Sequence, residues 1–328
     1  MKKRVNSIFF LTILGITLTS CSGKTISRNS FYFDTYIDSK LFEGSESDLD
    51  NLNVIYSKID KLTDNFHSRN INNIYTINNS SEEIEIDPQL YELLELTFSH
   101  DLSALTYFNP LCGSLSKAWK TSLEKNEVLS QQIISEELAK MSSSSLEFLG
   151  ENKVKRLGEA EIDLGAVAKG YVLDRAKEYF DTKNYTNYLI DAGSSSILLG
   201  EKSGGNDFKI KISDLDNCYL NLKNCFVSTS SFLRQKVEIN GVNYSHIINP
   251  VTGSAVNEND VVIVVSNKGY LGDILSTAFI NESLDSIKEF EKTFDVKTIV
   301  IKDNAIVYKN EGIEVTNKWK KNTEMTSY

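Results

Sequence analysis

The amino-acid sequence predicts an α+β fold, with a mixed or antiparallel sheet core and helices packed on it. Apolar residues recur at helical spacing in the first half of the chain, whereas short β-rich segments fill the second half. Strands mixed with hairpins and helices are typical of α+β domains and not of a doubly wound parallel sheet. The chain also lacks the GxGxxG motif of Rossmann dinucleotide sites.

Helical periodicity and start signals place six helices. The first begins near Leu49, because apolar residues repeat every three or four positions from there through Leu62. The second begins at Asp87-Pro88, since an aspartate N-cap followed by proline is a common helix start. The other predicted helices cover roughly residues 130–141, 166–180, 270–281 and 283–293.

Segments rich in β-branched and aromatic residues predict the strands of the second half. Asn240-Gly241 separates two of these segments and is the favoured pair for a type I′ hairpin turn, because both central residues need positive φ. The predicted strands cover residues 187–192, 208–212, 226–229, 237–239, 242–245, 261–266 and 298–301.

The first twenty residues have the features of a secretory signal peptide. Three cations follow the initiating methionine, and the apolar run over residues 8–18 is too short for a permanent membrane-spanning helix. Leu18-Thr-Ser-Cys21 resembles a bacterial lipobox, which predicts a lipidated Cys21 on a cell membrane, facing the periplasm or the cell exterior. An uncleaved anchor and a plain signal peptide are the alternatives. Residues 21–30 are predicted to be a tether, and residues 31–328 a single domain of two interlocked lobes.

The composition argues against two classes of protein. A formal net charge of -10 and an isoelectric point near 5.0 do not fit nucleic-acid binding, which needs a basic surface. The cysteines lack the CxxC or Cys/His spacing of a structural zinc site. Cys218 and Cys225 either pair in an oxidising compartment or remain buried free thiols.

The segment Asp163-Leu-Gly-Ala-Val-Ala-Lys-Gly is the first candidate binding site. Its small residues open a helix, and Lys169 lies in the first turn of that helix. A lysine is unfavourable at the positive end of a helix dipole unless an anion also binds there, where free N–H groups and the ammonium converge on a phosphate. The alternative is a helix packed closely on a sheet, with Lys169 in solvent.

Two further segments carry candidate catalytic groups. Asp273 and Thr277 are four residues apart on one helix face and form an incomplete oxygen shell for Mg²⁺, which also keeps waters and substrate phosphates as ligands. The alternative is a capped helix whose threonine bonds its own backbone. In Ser245-His-Ile-Ile-Asn-Pro-Val-Thr-Gly, His246 lies at a loop edge, where it either accepts a proton near neutral pH or is structural.

Taken together, and in the order in which they occur along the chain, these segments resemble the signatures of the ApbE-type FAD:protein FMN transferase family. The lysine segment matches the family's helix-opening signature, and Asp273-Ile-Leu-Ser-Thr-Ala matches its Asp-x-x-x-Thr-Ala metal helix. The His246 segment is similar to Ser-His-Ile-Ile-Asp-Pro-x-Thr-Gly. Asp191-Ala-Gly-Ser and Thr229-Ser-Ser approximate the family's Asp-Ala-Gly-Gly and Thr-Ser-Gly turns. The resemblance covers residues from about 33 to 301.

The resemblance implies a set of ligand contacts. Asp273, Thr277 and the backbone carbonyl of Ala166 would hold Mg²⁺. The implied FAD contacts are Asp163, Lys169 and Ile247, with the less closely matched Phe33, Phe66, Tyr107, Phe108 and Asn109.

The implied activity is Mg²⁺-dependent cleavage of FAD, with FMN attached through a phosphoester to a threonine motif of an exported or membrane flavoprotein and AMP released. Lys169, Asp273 and His246 form the catalytic set, with His246 accepting the hydroxyl proton. One alternative is an FAD pyrophosphatase with water as nucleophile. The other is a non-catalytic flavin-binding lipoprotein, which is favoured where asparagines replace family aspartates (Asn109, Asn249) and where Ser231 replaces a glycine.

Overall fold

The computed structural model describes residues 25–317, which fold around a long antiparallel sheet. The helices in this range are α1 (Glu46–Thr63), α2 (Ile74–Asn78), α3 (Pro88–Thr97), α4 (Gly113–Glu124), α5 (Gln131–Ser142), α6 (Ala168–Lys183), α7 (Gly269–Phe279) and α8 (Leu284–Phe294). The strands are β1 (Ile26–Tyr32), β2 (Thr35–Leu41), β3 (Ile84–Glu85), β4 (Ser145–Gly150), β5 (Lys153–Leu157), β6 (Tyr188–Ala192), β7 (Ser196–Leu199), β8 (Phe208–Lys211), β9 (Cys218–Leu222), β10 (Cys225–Ser231), β11 (Val237–Ile239), β12 (Val242–Tyr244), β13 (Val261–Ser266), β14 (Lys297–Lys302), β15 (Ala305–Lys309) and β16 (Val315–Asn317).

The long sheet has the strand order β1-β2-β6-β7-β10-β13-β14-β15, and every neighbouring pair in it is antiparallel. Smaller antiparallel sheets contain β3-β5-β4, β16-β9-β8 and the hairpin β11-β12. Asn240 and Gly241 both have positive φ between β11 and β12, which confirms the type I′ prediction. The predicted α+β class is likewise confirmed.

In the middle of the long sheet both faces are covered by other elements, and strand β13 is buried on both sides as a result. All six of its residues are buried. Val262 and Val264 pack in the core on the helix side, whereas Ile263 packs in the core formed with the smaller sheet of β8 and β9. The helix-side core also contains Tyr56 of α1 and Phe180 of α6. Because neither face of β13 meets water, its sequence is a continuous apolar run, which made this strand predictable.

The six predicted helices are all present, with shifted ends. Helix α6 begins at Ala168 and not at residue 166, because Val167 takes the non-helical N-cap conformation with φ of -146° and ψ of -25°. The sequence did not predict α4, which buries only two large apolar side chains, Leu115 and Trp119. Two such residues are too few to give a clear helical stripe.

Strand β1 corrects the predicted tether over residues 21–30. Ile26 pairs with Leu41 of β2, and the register continues through Tyr32, so residues 26–30 belong to the folded sheet. This segment resembled a linker because β1 is an edge strand that exposes polar residues such as Ser27 and Asn29. The predicted signal peptide and Cys21 lie outside the described residues. Between residues 25 and 317, no helix combines the length and apolarity that a membrane span requires.

Candidate active site

A cavity of about 440 Å³ lies where the start of α6, the start of β7, the end of β10, the loop after β12 and helix α7 meet. The tip of the β1–β2 hairpin closes one side of it. The predicted site residues that line this cavity are Phe33, Tyr107, Phe108, Asn109, Asp163, Ala166, Lys169, His246, Ile247, Asp273 and Thr277. The structure therefore brings together groups that are up to 244 positions apart in the sequence, from Phe33 to Thr277.

Phe66 is the predicted flavin contact that the structure does not place in the cavity wall. Its ring is 48% exposed and lies 5.0 Å from the ammonium of Lys117 and 5.3 Å from that of Lys120. Phe66 follows α1, where the Asp64 carboxylate accepts from its backbone N–H at 2.8 Å. This local turn holds the ring beside two lysines outside the cavity, so the structure does not support Phe66 as a flavin contact.

The tip of the β1–β2 hairpin brings Phe33 to the cavity. Phe33 and Asp34 both have positive φ, as the two central residues of a tight hairpin between Tyr32 and Thr35. The backbone N–H of Phe33 donates to Asp60 Oδ1 of α1 at 2.7 Å. This bond ties the hairpin to the helix that packs beneath it and fixes the position of the cavity wall.

Helices α6 and α7 touch backbone to backbone at two glycines. A Cβ at Gly170 would lie 2.1 Å from the carbonyl oxygen of Gly269, and one at Gly269 would lie 2.3 Å from the carbonyl oxygen of Gly170. Any side chain at either position would push the helices apart. Gly170 of the predicted binding segment therefore permits close packing on helix α7, whereas the alternative sequence interpretation expected close packing on a sheet.

This close approach lets Asp273 of α7 cap the start of α6. Its Oδ2 accepts from the backbone N–H of Gly170 at 2.6 Å, and its Oδ1 accepts from the hydroxyls of Ser196 at 2.7 Å and Ser228 at 2.6 Å. The carboxylate is buried, and its burial raises the pKa of Asp273, against the opposing Lys169 ammonium and the three hydrogen bonds. Sequence reasoning missed Ser196, Ser228 and Gly170 as partners of Asp273, because the contacts join distant segments.

The oxygen atoms around Asp273 fit a Mg²⁺ ion. Ala166 lies just before the N-cap Val167 of α6, and no donor within residues 25–317 bonds to its carbonyl. A carboxylate has about four lone-pair sites, and Asp273 uses three. Thr277 adds a hydroxyl 3.3 Å from Ser230 Oγ. A carboxylate, a carbonyl and a hydroxyl are the hard oxygen ligands that Mg²⁺ prefers.

Asp163 and Lys169 both line the cavity beside the start of α6. The Asp163 carboxylate accepts from the backbone N–H of Gly165 at 2.8 Å, which orders the loop before α6. Burial raises the pKa of Asp163, opposed by that hydrogen bond and by the ammoniums of Lys117 and Lys169. Within the described chain, the Lys169 ammonium forms neither an ion pair nor a hydrogen bond. Lys169 in the first turn of α6 is therefore available to a phosphate.

His246 lies at the mouth of the cavity. The residue is exposed to solvent. Neighbouring protein atoms nevertheless lower the pKa of His246 by desolvation, and the Lys169 ammonium lowers it further. The ring is therefore neutral at pH 7 and has a lone pair that can accept a proton.

The departures from the family signatures leave the local backbone intact. Asn109 Oδ1 accepts from the N–H of Leu111 at 2.9 Å, and Asn249 Oδ1 accepts from two N–H groups of its own turn at 3.0 and 3.1 Å, so each asparagine makes turn bonds like those of an aspartate. Ser231 ends strand β10 without a positive φ, so replacing a glycine there costs no backbone strain. Its buried hydroxyl has no hydrogen-bond partner within residues 25–317.

Backbone strain occurs instead at Ser194, which lies in the β6–β7 turn at the position of the second glycine in the family's Asp-Ala-Gly-Gly signature. Ser194 has φ of +56°, which costs about 1–2 kcal/mol for a residue other than glycine. Asp191 Oδ1 accepts from its N–H at 2.6 Å, and Arg234 donates to its carbonyl at 3.2 Å. Arg234 also lines the cavity, as a second cation that sequence reasoning missed.

The cysteines take one of the two expected states. Cys218 and Cys225 are free thiols, as is Cys112 in the cavity wall. Burial raises the pKa of Cys112 to about 12, with a further contribution from Asp163, so this thiol is unreactive at neutral pH.

The antiparallel α+β fold, with its cavity at the start of helix α6, places the chain outside the class of Rossmann proteins, which have a parallel sheet. The model of the ApbE family matches residues 33–300. The chain therefore belongs to the ApbE family.

Two curated relatives are named FAD:protein FMN transferase. The one from Treponema pallidum is 26% identical over 220 residues, which are 60% of this chain and 61% of that protein. The one from Chlamydia pneumoniae is 22% identical over 315 residues, 93% of this chain and 97% of that protein.

Solved structures share the fold. The ApbE protein from Thermotoga maritima superimposes with a TM-score of 0.77 at 22% identity, covering 88% of this chain and 97% of that one. The flavin transferase ApbE from Vibrio cholerae superimposes with a TM-score of 0.72 at 18% identity, covering 89% and 96%. At these identities the structural likeness establishes the architecture.

Proposed function

We propose that this chain is a Mg²⁺-dependent FAD:protein FMN transferase. The observation that carries the proposal is the meeting of Lys169, the Asp273 cluster and His246 in one cavity with the candidate flavin contacts. The names of the curated relatives support the same activity.

The proposed acceptor is a threonine of an exported or membrane flavoprotein. The lipobox-like sequence ending at Cys21 supports attachment of the enzyme to the membrane that such acceptors occupy. An acidic body gains little from anionic lipid headgroups, so acyl chains would do the anchoring.

The residues of the cavity suit phosphoryl transfer. Asp273, Thr277 and the Ala166 carbonyl would hold a Mg²⁺ ion, which when bound would offset negative charge on the FAD pyrophosphate. The Lys169 ammonium binds the same phosphates and stabilises charge on the departing AMP. The neutral His246 accepts the proton of the threonine hydroxyl. That oxygen attacks the FMN phosphorus, and the bond to the AMP oxygen breaks with its electron pair leaving on AMP.

The decisive experiment mixes the full-length protein with FAD, Mg²⁺ and an acceptor domain that carries a threonine motif. We expect the acceptor to gain one FMN, measured by intact mass, with one AMP released for each FMN attached. An acceptor whose threonine is replaced by valine is the control, and it should stay unmodified.

Omitting the acceptor separates the alternatives. Very little AMP release without acceptor supports the transferase, whereas rapid AMP release without acceptor identifies an FAD pyrophosphatase. Tight FAD binding that is indifferent to Mg²⁺, without AMP under any condition, identifies a non-catalytic flavin-binding protein.

Replacing His246 tests the proton acceptor. Because its pKa is lowered from the usual 6.5 and the neutral ring is the active form, transfer should be at its plateau at neutral pH and above, and should fall as the ring protonates at lower pH. His246→Asn should lower kcat roughly 10²-fold and remove this acid limb. The measurement is kcat/KM between about pH 5 and 8.

The exposed His100, which lies outside the cavity, provides the control. His100→Asn should keep the wild-type pH profile. An acid limb that persists in His246→Asn would assign the titration to another group.

A further inference from the structure

Helix α6 supplies a carboxylate to the start of α7. Asp174 Oδ1 accepts from the backbone N–H of Gly269 at 2.8 Å, and Asp174 Oδ2 accepts from that of Tyr270 at 2.8 Å. These are the first two residues of α7, whose N–H groups have no partner within their own helix. Asp174 is buried and lies outside the cavity wall, so the proposed chemistry does not use it directly.

Helix α7 supplies a carboxylate to the start of α6 in return. Asp273, one turn beyond Tyr270, accepts from the N–H of Gly170 at 2.6 Å. The two caps lie on either side of the Gly170–Gly269 contact, where the helix backbones touch. Each helix therefore holds the first turn of the other.

The reciprocal caps determine the geometry of the proposed cation ligands. The position of Asp273 depends on the first turn of α7, and Asp174 fixes that turn. Asp273 in turn accepts from the N–H of Gly170 at the start of α6, and the carbonyl of Ala166, just before the N-cap of the same helix, has no donor within residues 25–317. The reciprocal caps thus hold the carboxylate at the helix start where the free carbonyl lies.

We propose that Asp174 is a positioning residue for the Mg²⁺ site: through the first turn of α7 it aligns Asp273 with the Ala166 carbonyl. This inference rests on the proposed function, because it concerns the same site. Partners of metal ligands typically contribute about 10-fold to 100-fold to metal affinity or activity when they orient those ligands. A carboxylate that only stabilises the fold would contribute nothing to Mg²⁺ affinity.

The chain offers a matched control in Glu291 of α8. Its buried carboxylate also accepts from a backbone N–H, that of Thr298 at 2.6 Å, and from the side chains of Tyr308 and Asn310. Glu291 contacts neither α6 nor α7 through these bonds. Glu291→Gln therefore reports the effect of weakening a buried, hydrogen-bonded carboxylate outside the proposed site.

The test titrates Mg²⁺ against the full-length wild type, Asp174→Asn and Glu291→Gln, with FAD present and no acceptor, and follows the thermal unfolding midpoint. We expect Asp174→Asn to raise the Mg²⁺ concentration for half-maximal stabilisation about tenfold. Glu291→Gln should lower the starting midpoint but leave that concentration at the wild-type value. In FMN transfer, Asp174→Asn should raise the half-saturating Mg²⁺ concentration more than it lowers kcat at saturating Mg²⁺.

Asp174→Glu is the second variant and is measured if Asp174→Asn fails to fold. It retains the carboxylate on a longer side chain, so its half-saturating Mg²⁺ concentration should be higher than that of the wild type. Where Asp174→Asn also folds, the value for Asp174→Glu should lie between those of the wild type and Asp174→Asn. Wild-type Mg²⁺ dependence in the Asp174 variant that folds, or equal shifts in the Asp174 and Glu291 variants, overturns the inference. A wild type that is stabilised by Mg²⁺ but transfers no FMN overturns the proposed function and leaves the Asp174 comparison valid.

Discussion

Asp273→Ala is expected to abolish Mg²⁺-dependent FMN transfer, with a loss of about 10³-fold or more in kcat/KM. The substitution removes the one carboxylate among the proposed metal ligands, and such an ion supplies several kcal/mol of transition-state stabilisation. It also leaves the hydroxyls of Ser196 and Ser228 and the N–H of Gly170 without their acceptor in a buried position. Each unsatisfied group costs about 1–3 kcal/mol, so the unfolding free energy should fall as well.

The loss of activity has to be separated from the loss of stability. Transfer is therefore measured by acceptor mass at a temperature where urea unfolding shows that the variant is folded. Asp87→Ala is the matched control, because Asp87 caps α3 by accepting from Gln89 N–H at 2.9 Å and lies outside the cavity. It should lose about 1 kcal/mol of stability and keep its activity. Unchanged transfer in Asp273→Ala would eliminate this residue as a metal ligand.

Gly170→Ala is expected to destabilise the protein by about 3 kcal/mol and to lower transfer at the same time. The new Cβ would meet the carbonyl oxygen and carbon of Gly269 at 2.1 and 2.4 Å, and backbone atoms cannot rotate away as a side chain can. Helix separation is the only relief, and overpacking of this kind costs typically about 1–3 kcal/mol or more. Separation would also lengthen the bond from Gly170 to Asp273 and disturb the proposed ligands.

Gly205→Ala is the control for the steric clash, because it also replaces a glycine by alanine but introduces no close contact. Gly205 has φ of +73° but no heavy atom within 4 Å of its Cβ position, so the substitution should cost only about 1 kcal/mol, from backbone strain. Urea unfolding of the two variants gives the comparison. Equal destabilisation would show that the α6–α7 contact tolerates a methyl group.

The predictable part of the site consists of residues that are close in sequence. Asp273 and Thr277 share a helix face, and Lys169 lies in a helix first turn, so local periodicity was enough to select them. The bond from Asp273 to Gly170 joins residues 103 positions apart, and those to Ser196 and Ser228 span 77 and 45. No local pattern specifies such pairs, because they depend on how the helices pack on the sheet.

The same distinction applies to the fold. Strand β13 was predicted because burial on both faces gave it a continuous apolar sequence, whereas β1 was assigned to a tether because its polar residues face solvent at a sheet edge. Phe66 was expected in the cavity from the resemblance to the family. The turn around Asp64, which the sequence does not reveal, holds the ring elsewhere.

The walls of the cavity come from segments that reach from Phe33 to Thr277, and this dispersal links ligand binding to the folding of nearly the entire described chain. A ligand that contacts all of these walls binds no partly folded form in which one wall has detached. Its binding energy therefore adds to the global unfolding free energy, by about 1.4 kcal/mol for each tenfold excess of ligand over Kd. Saturation with ligand should accordingly protect the hairpin of β1 and β2 and the helix α7 from proteolysis to the same degree.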